Sequence, residues 1–255
     1  VATALVTGAS VGIGRAFAEK LAREGYDLVL VARDEARLKE VATELTRLHG
    51  VACEVLPADL TEPEQLAVVE ERFRTGPIEV LVNNAGFGQK KPFWANPVEQ
   101  EEKQLDLLVR VVLRLTHAAV LPMIERGSGA VVNVSSIAGF VPRGTYSAHK
   151  SWVTNFSSGL AVELHAKGVA VMALCPGFVH TEFHTRMDLD KTIIPSFMWL
   201  DATEMVDAAW ADLMRGKPIS IPTWRYKAIS FAARYIPRTL IARVSTIGLD
   251  GRRRA

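Results

Sequence analysis

In the stretch TYSAHK, Tyr146 and Lys150 stand four positions apart, about one helical turn, so their side chains share a face. A free phenol, with a pKa near 10, holds its proton too tightly to act as a base at neutral pH. An ammonium roughly 4.5 Å away, at an effective dielectric near 20, would favour phenolate by about 3.7 kcal/mol before desolvation subtracts part of it. The pair therefore suits proton exchange with a reacting oxygen, with Lys150 expected to lower the Tyr146 pKa. A lone YxxxK spacing is far more often a plain surface pair, so the other chemistry-bearing residues must overturn that reading.

The segment TGASVGIG sets Gly8, Gly12 and Gly14 between a β-branched run and a helix that begins near Ile13. Glycines let a backbone turn sharply and approach a pyrophosphate. The helix amino terminus then offers unpaired N–H groups and a partial positive charge. The next strand-like run ends LVLVARDEARL, where Ala32 and Arg33 stand in place of an acid. An acid there would accept from a ribose 2′-hydroxyl and repel a 2′-phosphate, so Arg33 favours NADP. Arg15, just past Gly14, is a second candidate phosphate contact.

These residues need a frame that gathers them. The runs ATALVTG, YDLVLVA, VACEVLPA, IEVLVNNAG, GAVVNVSS and VAVMALCPG read as strands, and RAFAEKLAREG and EARLKEVATELTRLHG between them carry helical apolar spacing. The alternation predicts an α/β, Rossmann-like doubly wound parallel sheet, with sites at the carboxyl ends of its strands. At 255 residues, 49% hydrophobic and 23% charged, the chain suits one domain over 1–255.

Six motifs in order resemble the short-chain dehydrogenase/reductase family over most of the chain, from Thr3 to about Pro222: TGASVGIG, ADL with Asp59, NNAG at 83–86, Ser135 and Ser136, YSAHK, and PGFVHT at 176–181. The resemblance implies interconversion of a carbonyl and a secondary alcohol by hydride transfer from or to NADP, with Tyr146 as general acid/base. Lys150 would hold the nicotinamide ribose and Ser136 the substrate oxygen. It implies cofactor contacts from Thr7, Gly8, Ser10, Gly12, Ile13, Gly14, Arg33, Asp59, Leu60, Asn83, Ala85, Gly86, Tyr146, Lys150, Pro176, Gly177, Val179 and Thr181. Two departures stand out. The Ser136–Tyr146 loop is a few residues shorter than the family's, leaving Ser135 as an alternative, although strand alternation puts Ser136 on the face of Val132 and Val134. Leu108 occupies the place of an asparagine that the family uses in a proton relay. An NADP-binding regulatory protein with little turnover is the alternative function.

A variable substrate lid is expected around 178–200, where Phe183, Phe197, Met198 and Trp199 suggest an apolar wall, so the substrate is expected to be lipophilic. His180 and His184 have helical spacing but no third ligand, so no metal is expected. His149 reads as a surface position. Net charge is +2, giving no nucleic-acid footprint, although the tail from 225 to 255 carries eight Arg and Lys against Asp250 alone. That tail fits packing on the domain or a second subunit, with peripheral membrane contact the less favoured option because Pro237 breaks it. No apolar run is expected to reach a bilayer-spanning length, and no leader opens the chain. Cys53 and Cys175, far apart in apolar runs, fit a reducing cytoplasm. The resemblance further implies a homodimer or homotetramer through helices near 97–125 and 146–166.

Overall fold

The computed structural model describes residues 1–181 and 195–235, with side chains of the last helix as far as Phe231. In chain order the elements are β1 (Thr3–Thr7), α1 (Gly12–Arg23), β2 (Asp27–Ala32), α2 (Glu35–His49), β3 (Cys53–Pro57), α3 (Pro63–Thr75) and β4 (Val80–Asn83). Then follow α4 (Val98–Leu105), α5 (Val111–Arg126), β5 (Gly129–Val134), α6 (Gly144–His165), β6 (Val169–Leu174), β7 (Phe178–Val179), β8 (Trp199–Leu200), α7 (Ala202–Met214), β9 (Ile219–Ser220) and α8 (Trp224–Tyr235). Seven strands form a parallel sheet in the order β3-β2-β1-β4-β5-β6-β9, and β7 pairs with β8 beside it. The six strand runs predicted from sequence are all present. The seventh, β9, has only two residues, too few for an alternation to register.

Alternation along the buried strands fills both faces. Ala4, Val6, Leu28 and Leu30 point to one side, where they meet Phe17 and Leu21 of α1, Leu38 of α2 and Val206 of α7. Leu5, Val29 and Val31 point to the other, against Val69 of α3 and Leu115 and Met123 of α5. Burying each such large side chain contributes roughly 1.5–3 kcal/mol, which is why strands sandwiched between helices read as near-continuous apolar runs.

The order reverses between β1 and β4, because the first crossovers run one way from β1 and the next return past it. Thr7 fastens this switch point: its hydroxyl donates to the Val82 carbonyl at 3.3 Å and accepts from the Asn84 and Ala85 N–H groups at 2.9 and 3.0 Å. The opening is at the carboxyl ends of these strands.

One expectation is corrected here. Residues Val98–Arg126 form a continuous 29-residue helix with an apolar window of mean hydropathy 1.7, long and apolar enough to cross a membrane by length and composition. Arg110 and Arg114 interrupt the apolar run, yet two charges do not break a helix. Val111, Leu115, Ala119 and Met123 lie in the core against the sheet. The helix carries a π-turn at Asp106–Arg110, and Leu108 within it is fully buried.

Candidate active site

A cleft of about 1040 Å³ runs across the carboxyl ends of the strands. At one end, the chain leaves β1 through Gly8 at φ 66° and enters α1 through Gly12 at φ 58°, conformations a side chain resists. Gly14 packs so closely on the Gly8 carbonyl and the Asn84 amide that a Cβ there would overlap both. The first turn of α1 has no acidic residue, and Val11 before it supplies no side-chain cap. Its N–H groups are thus left for an anion, and Ser10, Gly12 and Ile13 line the cleft beside them.

Beyond β2, Arg33 is 74% exposed at its side chain and reaches Asp59 Oδ2 at 3.7 Å. Asp34, the nearest acid, caps α2 by accepting from the Arg37 N–H at 3.1 Å. Burial would raise the Asp59 pKa, but hydrogen bonds from Thr61 and the charges of Arg33 and Lys103 outweigh it, so the carboxyl lies below its ordinary value. Leu60 lines the cleft next to it. Arg15 does not turn this way: it pairs with Glu44 on α2, correcting its reading as a phosphate contact.

The other end is drier. Lys150 is 6% exposed and its Nζ donates to the Val134 carbonyl at 2.7 Å, 5.8 Å from the centre of the Tyr146 ring. Burial lowers its pKa to about 8. Burial also pushes the Tyr146 phenol up to about 12, against a hydrogen bond with Ser136 that lowers it. The expectation that Lys150 depresses the tyrosine is not met: the ammonium is engaged by a backbone carbonyl, and desolvation dominates both groups. The Ser136 hydroxyl also accepts from the Ala138 N–H at 3.1 Å. Ser135 is turned inward, its hydroxyl donating to the Lys150 carbonyl at 2.7 Å, so the two serines divide as alternation predicts. Pro176, Gly177, Val179 and Thr181 close the cleft opposite, and the Thr181 side chain lies 3.1 Å from where a Cβ on Gly12 would stand.

A family model described as "short chain dehydrogenase" matches residues 2–192. The chain belongs to the short-chain dehydrogenase/reductase family. Its members are NAD(P)-dependent oxidoreductases acting on CH–OH groups. The chain is 36% identical over 207 residues to a very-long-chain 3-oxoacyl-CoA reductase of Anas platyrhynchos, covering 77% of this chain but only 64% of that longer protein. Among solved structures, a short-chain dehydrogenase from Sphingobium yanoikuyae in complex with NADPH superposes with a TM-score of 0.85 at 39% identity, covering 91% of this chain and 93% of that one. A bulky-bulky ketone specific alcohol dehydrogenase from Comamonas testosteroni gives 0.80 at 34% identity, covering 93% and 96%.

Within this family member, most residues expected at the cofactor line the cleft, including Gly8, Ala85 and Gly86. Thr7, Gly14 and Asn83 stand behind its wall. Asn83 is buried, donating to Thr116 and Asn133 at 3.1 and 2.8 Å, while its neighbour Asn84 faces the cleft and donates to the Thr7 and Gly8 carbonyls. Sequence could not separate the two asparagines of NNAG, because alternation fails once the strand ends. Phe197, Met198 and Trp199 are also corrected: none lines the cleft among the described residues. Trp199 instead stacks on His180 at 4.9 Å. The apolar wall comes from Phe87, Leu107, Ile137, Phe140, Val141 and Ile229. Ile229 belongs to the tail helix and had no motif to announce it. Phe183, His184 and the tail beyond 235 lie outside the described residues. His149 is half-buried with no partner for its Nδ1, not a surface position.

Proposed function

We propose that this chain is an NADP-dependent reductase of a lipophilic ketone or aldehyde, with Tyr146 as the proton donor. The observation that carries the reading is the convergence of Ser136, Tyr146 and Lys150 at the dry end of a cleft whose other end is a glycine-lined helix amino terminus. The residues fit a dinucleotide: positive-φ glycines leave room for phosphates, uncapped N–H groups attract them, and Lys150 is a buried cation on the cleft wall that would hold ribose hydroxyls. When bound, the nicotinamide supplies or accepts the hydride. Ser136 orients the substrate oxygen towards the phenol. The phenol keeps its proton at neutral pH and can give it to a nascent alkoxide, the role that reduction requires. Lys150 would contribute positive charge beside that oxygen.

NADP over NAD is supported by Arg33 and by Ala32 standing at the end of β2 in place of an acid. The NADPH complex of the Sphingobium relative is consistent with it. Lipophilic substrates are supported by Phe87, Leu107, Phe140 and Ile229 in the wall, and the Comamonas relative's preference for bulky ketones fits the same reading. Self-association through α5 and α6 is supported by Leu113, Leu121 and Val162, which are 44, 51 and 78% exposed.

Leu108 favours a second reading, a cofactor-binding protein with little turnover. It is 1% exposed, and a Cβ on Gly86 would stand 2.8 Å from its Cδ2, so it fills with hydrocarbon a space where an amide could hold water. A panel of ketones and aldehydes with NADPH and NADH separates the two. Steady consumption of NADPH with an apolar ketone is expected. Stoichiometric binding without turnover on any member overturns the reductase reading.

A further inference from the structure

Tyr226 is fully buried on α8, beyond the last residue matched by the family model, yet it touches the family's own PGF turn. Its hydroxyl accepts from the Phe178 N–H at 3.1 Å and donates to the Met198 carbonyl at 2.6 Å. Its ring lies so close to Gly177 that any Cβ there would overlap it. Burial holds the phenol above its ordinary pKa, so it remains a donor across the neutral range. The same turn is tied from the other side, since the Ile137 N–H donates to the Pro176 carbonyl at 3.0 Å, one residue from Ser136. From Phe178 the described backbone forms a short ladder: β7 pairs Phe178 with Trp199 and Val179 with Leu200, and the His180 N–H donates to the Leu200 carbonyl at 3.0 Å. Two paired residues make a weak strand. Tyr226 reinforces that ladder, its one buried hydroxyl linking Phe178 of β7 to Met198, the residue before β8.

We infer that Tyr226 is a positioning residue that fixes the 176–179 turn for the nicotinamide half of the cofactor. The inference rests on the assignment of that end of the cleft to the nicotinamide. A phosphate-binding turn is shaped by glycine and a helix terminus, and neither depends on α8. The turn opposite Tyr146 opens no helix among the described residues and leans on Tyr226 of α8, so the hydroxyl should matter to one half of the dinucleotide and not to the other. The adjoining Arg225 is a contrast within the same helix turn: its Nη1 donates to the Phe197 carbonyl at 2.6 Å, two residues outside the β7–β8 pair, and it does not reach the turn.

The test is binding of NADPH and of 2′-phospho-ADP-ribose, which lacks the nicotinamide, to the full chain and to Tyr226→Phe. The variant keeps the ring against Gly177 and loses both hydrogen bonds. NADPH should bind about five- to twentyfold more weakly and 2′-phospho-ADP-ribose within about twofold of parental, the cost of one or two hydrogen bonds felt at one end. Arg225→Met should leave both affinities within about twofold. Equal weakening of the two ligands by Tyr226→Phe, no weakening of either, or the same discrimination from Arg225→Met overturns the inference. A measurement on the parental protein decides the matter even where Tyr226→Phe does not fold: hydrogen exchange of the Phe178 amide should be as slow as that of β6 amides, and exchange at loop rates overturns the clasp. Should the parental protein bind neither ligand, the NADP reading of the cleft fails, and the exchange rate alone still reports whether Tyr226 holds the turn.

Discussion

The two ends of the cleft use charge in opposite ways. At the end beside β2, Arg33 and Asp59 face each other at 3.7 Å with the arginine three-quarters exposed, so water screens them and neither costs much to hold. At the other end, Lys150 and Tyr146 are held where burial disfavours each group's charged form, the lysine falling to about 8 and the tyrosine rising to about 12. Exposed charge can select between cofactors by modest amounts. Buried charge can change what a group does with its proton, and it must be stabilised by the fold around it.

If that contrast is right, the largest effect belongs to the dry end. Tyr146→Phe keeps the ring and removes the only proton it can give, so turnover on a good ketone should fall by roughly two to four decades while NADPH affinity stays within a few-fold. Stopped-flow and steady-state assays with one substrate check this, and near-parental turnover would return Tyr146 to the rank of a packed phenol.

The next effect concerns stability. Lys150 titrates near 8 in the folded chain against 10.5 ordinarily, so between those values the unfolded chain binds more protons than the native one, and stability should rise with pH across that window. Tyr146, raised from 10 to about 12, acts with the opposite sign above pH 10. Lys150→Met should remove the rise between pH 8 and 10.5, a difference of about 3 kcal/mol at 1.36 kcal/mol per unit, read from denaturant unfolding of both proteins across the range. Parallel curves for the two would mean that Lys150 is better solvated than its place behind Val134 implies.

The smallest effect sharpens the comparison from the wet end. Arg33→Asp should weaken NADPH by about 1 to 2 kcal/mol while sparing NADH, less than a buried pair would lose because the side chain is so exposed. Titration with both cofactors checks it, and equal loss for the two would leave Arg33 with no part in the choice.

The sheet, the glycine turn and the sites at strand ends were legible because each is written locally. β-branched runs alternate with helical spacing, and TGASVGIG must turn sharply wherever it is placed. The opposite facing of Ser135 and Ser136 was legible too, since alternation persists for a residue or two past β5. Asn84 was not told from Asn83, because the chain leaves the ladder between them and the direction of each amide depends on what Thr7 and Thr116 offer. Nor was the apolar wall: Phe197 and Trp199 had the expected composition, but the cleft drew on Ile229 from a helix some 80 residues past Tyr146 in sequence.

The sequence by itself determined the order of strands and helices, the phosphate turn, and the one-turn spacing of Tyr146 and Lys150, all consequences of backbone periodicity and glycine stereochemistry. Tertiary structure decided how those groups titrate and what holds them. Desolvation depends on every atom packed around a charge, and Lys150 meets the Val134 carbonyl only because α6 crosses the end of β5. Tyr226 reaches Phe178 across 48 residues of chain for the same reason. Such contacts leave no period in the sequence, because neither partner's local surroundings refer to the other.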